Sequence, residues 1–353
     1  MKLEFKEKIK EESFQQLQKS VSNICLNKNQ RKINYSAIFI GGMALIAFLS
    51  GLFILWYAST SPLIYLSIIV FLGIINVPLI LIIGHGSIHK NFSNLKRINK
   101  LGENIFYLLG TSPYFWKLRH LNAHHHYTNI RKWDLDIEQS KLIRLSASQE
   151  CYNIHKYQTY YMPFLFMMYT LNWFFFRDLL DINKQKFGNR IIENHPSVKI
   201  FWLFFSKLWH ISILIIIPIT LGQSVSIVIL GFFIYHFSAS LTTTLVLVST
   251  HIGEDHELVE TGEQSKLPYT WIEHQIRTSG SFSIKSKVIL HFFGGFNHHL
   301  AHHLFPNIPY TLYPQISPII KEYCIQNNLP FVCYPNFSAC VKSHFKRLAV
   351  YSK

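Results

Sequence analysis

Acidic residues are scarce: 19 Asp and Glu stand against 34 Lys and Arg, a formal charge of +15 over 353 residues. That imbalance selects anionic partners, and lipid headgroups, phosphorylated substrates and acidic redox proteins all qualify. Nucleic acid is not expected. No RNA- or DNA-binding motif occurs, and the cations are scattered among aromatic and aliphatic segments instead of lining one helix. Cysteine is sparse too. Cys25, Cys151, Cys324, Cys333 and Cys340 show no C-x-x-C spacing, which excludes a disulfide framework and fits a reducing, cytosol-facing location. Residues 1–33 lack a short apolar core followed by a small-residue cleavage site, so an internal span is expected to direct targeting. There is no internal repeat and no low-complexity tract.

What the chain has in abundance is uninterrupted apolar sequence, within a hydrophobic content of 49%. A membrane span needs about 20 nearly uncharged residues in a row. Ala37–Tyr57 and Pro62–Ile83 qualify and predict one transmembrane hairpin. Phe201–Leu221 and Val225–Val248 predict a second, with Lys207 and His210 inside the third run. The linkers Ala58–Ser61 and Gly222–Ser224 hold no basic residue, whereas the N-terminus, residues 84–199 and residues 249–353 are rich in them. The positive-inside rule puts those three regions and both termini on the cytoplasmic side. The expected architecture is an all-α integral membrane protein of one domain, residues 1–353, with four transmembrane helices in two hairpins beneath a cytosolic helical cap.

Two further segments carry expectations. Tyr161–Phe176 is short, aromatic and interrupted by Pro163 and Asn172, which predicts an interfacial or half-buried helix and not a fifth span. Leu3, Phe5, Ile9, Phe14, Leu17, Val21 and Ile24 recur at loosely helical intervals among Lys and Glu, a pattern that suits an amphipathic helix on the membrane surface.

Histidine dominates the remaining chemistry. His85 and His89, in HGSIH, are spaced i,i+4, which on an α-helix puts both imidazoles on one face. His120, His124 and His125 repeat the pattern in HLNAHH, and His299, His302 and His303 stand at i, i+3 and i+4 in HHLAHH, stopped by Pro306. Buried neutral imidazoles need partners. Eight of them on one membrane side exceed the four to six donors about one transition ion takes, so at least two ions are implied, of iron, zinc or copper.

In order, HGSIH after a span, HLNAHHHYTNIRKWDLDIE, WIEHQIRTS and GGFNHHLAHHLFPNIPY resemble the membrane-bound fatty acid desaturases, especially their acyl-CoA and acyl-lipid branch that includes linoleoyl-CoA desaturases. The likeness runs from roughly Ile83 to Phe345. It implies an oxygen-dependent desaturase whose two iron ions are held by His85, His89, His120, His124, His125, His299, His302 and His303. A ninth ligand lies in such proteins between the second hairpin and the third box, which nominates His251. His126 and His298 fall where the family tolerates other residues, which gives them packing or supporting roles, and His274 is ambiguous. Asp134, Asp136, Glu138, Glu254 and Asp255 are candidates to orient ligand imidazoles. The resemblance further implies an apolar tunnel for a fatty acyl-CoA or acyl-lipid substrate. Trp116, Lys117, Arg119, Arg131 and Lys132 are candidates for contact with its headgroup. No dinucleotide fingerprint, iron–sulfur spacing or haem-binding HPGG sequence is present, so electrons are expected from a separate cytochrome or ferredoxin. His299 stands where relatives that act on the carboxyl side of an existing double bond often have glutamine, which leaves the position of the new bond open. A hydroxylase or ketolase on the same scaffold is the nearest alternative. A histidine-rich metal transporter is the alternative from another class, and it would place its donors at mid-membrane.

Overall fold

The computed structural model describes residues 3–6, 12–27, 30–57, 61–137, 140–261 and 266–352. Among them four helices are long and apolar enough to cross a membrane: Tyr35–Tyr57, Pro62–Ile88, Ser197–Thr220 and Val225–Ser249. Each carries large apolar side chains on its outer surface, such as Phe39, Phe53, Leu63, Phe201 and Phe205, as lipid-facing helices must. The second span starts cleanly: Pro62 occupies the first helical position and the Ser61 hydroxyl accepts from the Ile64 amide at 3.3 Å, so a free donor of the first turn is satisfied.

The tightest packing joins the second and fourth spans, which belong to different hairpins. A Cβ on Gly73 would stand 2.7 Å from the Tyr235 carbonyl oxygen and 2.0 Å from Ser238 Oγ. Only glycine lets these backbones meet, the small-residue contact that substitutes for hydrophobic drive inside lipid. The Asn76 amide donates to the Tyr235 hydroxyl at 3.0 Å nearby. The Trp56 indole donates to the Ile213 carbonyl at 3.0 Å and joins the first span to the third.

The second span extends past the predicted end at Ile83. Leu79–His85 winds as a π-helix and Gly86–Ile88 returns to α geometry, so His85 lies in the last turns of the span and not beyond it. Tyr161–Phe176 is not among the four helices long and apolar enough to cross a membrane. It is divided among Gln158–Met167, Tyr169–Asn172 and a π segment Trp173–Arg177, and it lies against the fourth span, where the Thr170 amide donates to Ser240 Oγ at 2.9 Å.

The amphipathic N-terminal stripe has a protein partner. Over the helix Glu12–Asn27, Phe14, Leu17 and Val21 are buried in the main core, and the helix packs against Tyr313–Gln326. Leu3 is buried separately with Tyr127 and Ile130. The apolar face expected from the periodicity is thus covered by protein at these residues: periodicity identifies an apolar face but not what covers it. Ile9 lies outside the described residues.

Two buried ion pairs hold the cap, one within it and one to the third span. Arg119, beside the second box, is 1% exposed and donates to Asp181 Oδ1 at 2.9 Å, while Lys207 of the third span meets Asp178 Oδ2 at 3.3 Å. Arg119 is thus structural rather than a headgroup contact. Its charge is compensated internally, and exposing it would leave Asp181 buried without its partner.

Candidate metal centre

The nine nominated histidines converge in two buried groups. His85, His89, His120, His125 and His302 form one, and His124, His251, His299 and His303 form the other; in each, the candidate donor atoms lie within 4.8 Å of one another. In the first group His120 Nε2 is 3.1 Å from His85 Nε2, 3.0 Å from His89 Nε2 and 3.0 Å from His125 Nε2, and His125 Nε2 is 3.0 Å from His302 Nε2. In the second, His299 Nε2 and His251 Nε2 are 2.6 Å apart.

Box spacing does not map simply onto these groups. His85 and His89 do share a group, but His120 and His124 do not; His120 pairs with His125 instead. The reason is local geometry. His120–His124 is a π-helix, whose hydrogen bonds run i to i+5, so residues five apart and not four share a face. The α-helix His299–Leu304 keeps the ordinary pattern, with His299 and His303 on one side and His302 turned to the other group.

Proton placement favours metal binding. His251 Nδ1 donates to the Thr278 carbonyl at 3.1 Å, His303 Nδ1 to Gln275 Oε1 at 2.9 Å, and His124 Nδ1 to Asp134 Oδ2 at 3.0 Å. His302 Nδ1 lies 3.2 Å from the Tyr313 hydroxyl. Such bonds put the proton on Nδ1 and aim the Nε2 lone pair inward. His303 Nε2 is buried with no protein partner. Burial, followed by the charges of neighbouring imidazoles, holds His89, His120, His125, His251, His299, His302 and His303 well below the usual histidine range, hence neutral. At His124 burial acts in the same direction, but the Asp134 carboxylate outweighs it and raises the pKa.

The distances discriminate between coordination geometries. With metal–nitrogen bonds of about 2.1 Å, adjacent donors stand about 3.0 Å apart at right angles and about 3.4 Å apart in a tetrahedron. The first group follows the right-angled spacing, and its five imidazoles exceed a tetrahedral set. The first group therefore fits a five- or six-coordinate ion, whereas the four imidazoles of the second do not exceed a tetrahedral set.

Of the carboxylates nominated to orient ligands, Asp134 does so; it also accepts from the amides of Asn129 at 3.0 Å and Asp136 at 2.9 Å. Asp136 stands within the His124–Asp134 cluster. Glu254 instead pairs with Lys346, and Asp255 accepts from Tyr334; Glu138 lies outside the described residues. His126 is exposed beside Phe5, His298 meets Ser317 Oγ at 2.7 Å, and His274 Nε2 meets the Thr128 carbonyl at 2.6 Å, so none of the three joins either group. Trp116 is a wall of the centre, its ring 4.0 Å from that of His120, and Phe296 stacks on His299 at 4.8 Å. Lys117 is paired with Glu103, and Arg131 with Ser148.

Sequence reasoning missed Gln275, Thr278, Tyr313 and Asn129. The T-x-x-E capping box before Gln275, Thr270 with Glu273, was a usable signal for the helix that carries it. Asn129 adopts a left-handed φ of 57° and its amide donates to the His251 carbonyl at 2.7 Å, which places His251 beside the second box.

A cavity of about 580 Å³ opens from the centre. His120, His124, His251 and His299 line one end; Ile80, Leu109, Met162, Phe166 and Leu247 line its length; Asn76, Tyr235 and His236 stand at the other end. His236 lies thirteen residues before Ser249 in the fourth span, about 20 Å along the helix axis.

Four candidate membrane spans and two adjoining groups of buried histidines that could hold metal ions, at one end of a largely apolar cavity, define a helical membrane protein of the metal-binding class. Residues 60–335 match the fatty acid desaturase family, and the chain belongs to it. It is 29% identical over 272 residues to a Synechocystis sn-1 linoleoyl-lipid 6-desaturase, covering 77% of this chain and 76% of that protein. It is also 29% identical over 242 residues to a protein of that name from Arthrospira platensis (69% of this chain, 66% of that protein) and 30% identical over 268 residues to a probable Delta(5) fatty acid desaturase C from Dictyostelium discoideum (74% and 58%).

The His124 contact yields a direct test. Asp134→Asn keeps the size of the side chain but removes the charge facing Nδ1. Metal affinity, measured by competition with a chelator, should fall about 10- to 100-fold; an unchanged affinity would show that the contact does not tune the centre.

Proposed function

We propose that the protein is an oxygen-dependent fatty acyl desaturase that introduces a double bond into an acyl lipid or acyl-CoA at a di-iron centre. The observation that carries the reading is the pair of histidine groups, nine imidazoles in all, facing one end of an apolar cavity. His85, His89, His120, His125 and His302 are assigned to one iron, and His124, His251, His299 and His303 to the other. Iron is favoured over zinc at the first site by the right-angled donor spacing and by five imidazoles, too many for a tetrahedron; the second ion is assigned as iron by its adjacency to the first and by the family. The bound irons would supply the oxidising power, drawn from O2, needed to take hydrogens from an unactivated methylene pair.

The chain's own residues do the rest. Neutral imidazoles present lone pairs; Asp134, Gln275 and the Thr278 carbonyl hold their tautomers; Trp116 and Phe296 close the centre against water, so that reactive species meet the substrate and not solvent. The cavity lays the acyl chain past His299 and His251 and fixes which methylenes reach the centre. The names of the cyanobacterial relatives support a lipid-linked acyl chain. The basic regions are assigned to the cytoplasmic side, with both termini, and electrons to a separate cytochrome or ferredoxin. The residues 1–353 are read as one membrane domain.

Expression in a host of known lipid composition, followed by gas chromatography of fatty acid esters, tests this reading. A new unsaturated ester that requires O2 is expected. Products that are only hydroxylated or keto-bearing would assign the chain to the hydroxylase or ketolase alternative, and a lipid profile identical to that of the empty host would overturn both.

A further inference from the structure

We propose that Gln275 is a positioning residue that fixes the tautomer of His303 and ties the second histidine box to the third; the inference rests on His303 being a metal ligand. Gln275 is 0% exposed. It projects from the short helix Trp271–Thr278, whose start is set by the Thr270 and Glu273 capping box. Its amide can be oriented without ambiguity, because its two ends face unlike partners. Nε2 stands 3.2 Å from the His125 backbone carbonyl, which can only accept. Oε1 therefore points the other way, towards His303 Nδ1 at 2.9 Å and the Thr128 hydroxyl at 3.0 Å.

An amide oxygen has no proton to give. The proton of that bond must sit on His303 Nδ1, and Nε2 is left with its lone pair free. That nitrogen is buried, without a protein partner, and belongs to the group formed with His124, His251 and His299. The same amide grips the backbone at His125, whose ring belongs to the other group. One side chain thus reaches a donor ring of one pocket and the main chain beneath a donor of the next. Thr128, which is also 2.8 Å from the His124 carbonyl, is the second tie between the boxes. An apolar residue here would take the Gln275 acceptor from the His303 N–H and the Gln275 donor from the His125 carbonyl, leaving His303 Nδ1 with the Thr128 hydroxyl at 3.3 Å, which can donate as well as accept and so does not hold the proton on Nδ1.

The test uses the full-length, metal-loaded protein in detergent, with metal content and chelator-driven release as readouts. Gln275→Met fills the same space without hydrogen bonds. It is expected to release metal about 10- to 100-fold faster than wild type and to fall from two ions per chain towards one. Gln275→Glu restores the acceptor at His303 Nδ1 but not the donor at His125, so it should recover the second ion; a merely structural role would make both variants alike. Gln275→Asn, one methylene too short to reach His303, takes the place of Gln275→Met if that variant fails to insert, with the same expected outcome. Two ions and wild-type release in Gln275→Met or Gln275→Asn would overturn the proposal, as would a Gln275→Glu variant no better than Gln275→Met. His303→Ala separates the two readings. If it too retains both ions, the ligand assignment has failed; if it loses one while Gln275→Met does not, the positioning role alone has failed.

Discussion

Alanine at His302 is expected to abolish detectable product and to lower the metal content from two ions towards one, and alanine at the adjacent His303 to do the same through the other ion. The two residues are neighbours in sequence yet point into different groups. Each sits at 2% exposure or less, so solvent cannot replace the lost donor readily. The five-imidazole group retains four donors after His302→Ala and the four-imidazole group retains three after His303→Ala. The second variant should therefore release its metal faster. Elemental analysis with a chelator time course measures this, and equal release from the two variants would contradict the division into unequal sites.

The second large effect is expected from the cavity and leaves the metals in place. Leu247→Trp adds bulk where the fourth span lines the passage between the histidines and Tyr235. Overpacking of that kind costs about 1–3 kcal/mol, which a membrane bundle of this size tolerates, but the acyl chain loses its path. Desaturation should fall tenfold or more with two ions still bound. A variant that keeps wild-type turnover would place the substrate elsewhere.

These three variants probe features that differed in how far the sequence revealed them. The gathering of histidines was legible because spacing and shared membrane side are one-dimensional properties, and His251 was found from its place just after the fourth span. The division into groups was not legible. The i,i+4 rule presumes an α-helix, and no residue in HLNAHH announces a π turn. Gln275 escaped notice because an amide carries no charge and no metal-ligand signature; its role exists only through its distances to His303 and His125. Arg119 looked like a headgroup contact because composition cannot tell an outward cation from one folded onto Asp181, and Trp116 because nothing in the sequence sets its ring against His120. The four spans were clear from hydropathy, but the contact that organises them, Gly73 against Tyr235 and Ser238, joins segments more than 160 positions apart.

The π turn at the second box also ties the directions of His124 and His125 to how the backbone winds rather than to their spacing from His120 alone. An α-helix advances about 100° per residue, so rewinding His120–His124 to α geometry at unchanged length would bring His124, four residues on, to the face of His120 and carry His125 past it. The two rings would then trade directions. Deleting one position between His120 and His125 has the opposite result: the same α winding returns His125 to the face of His120, now four residues on. For this segment the additional residue and the π turn cancel one another, and either one alone would turn the rings away.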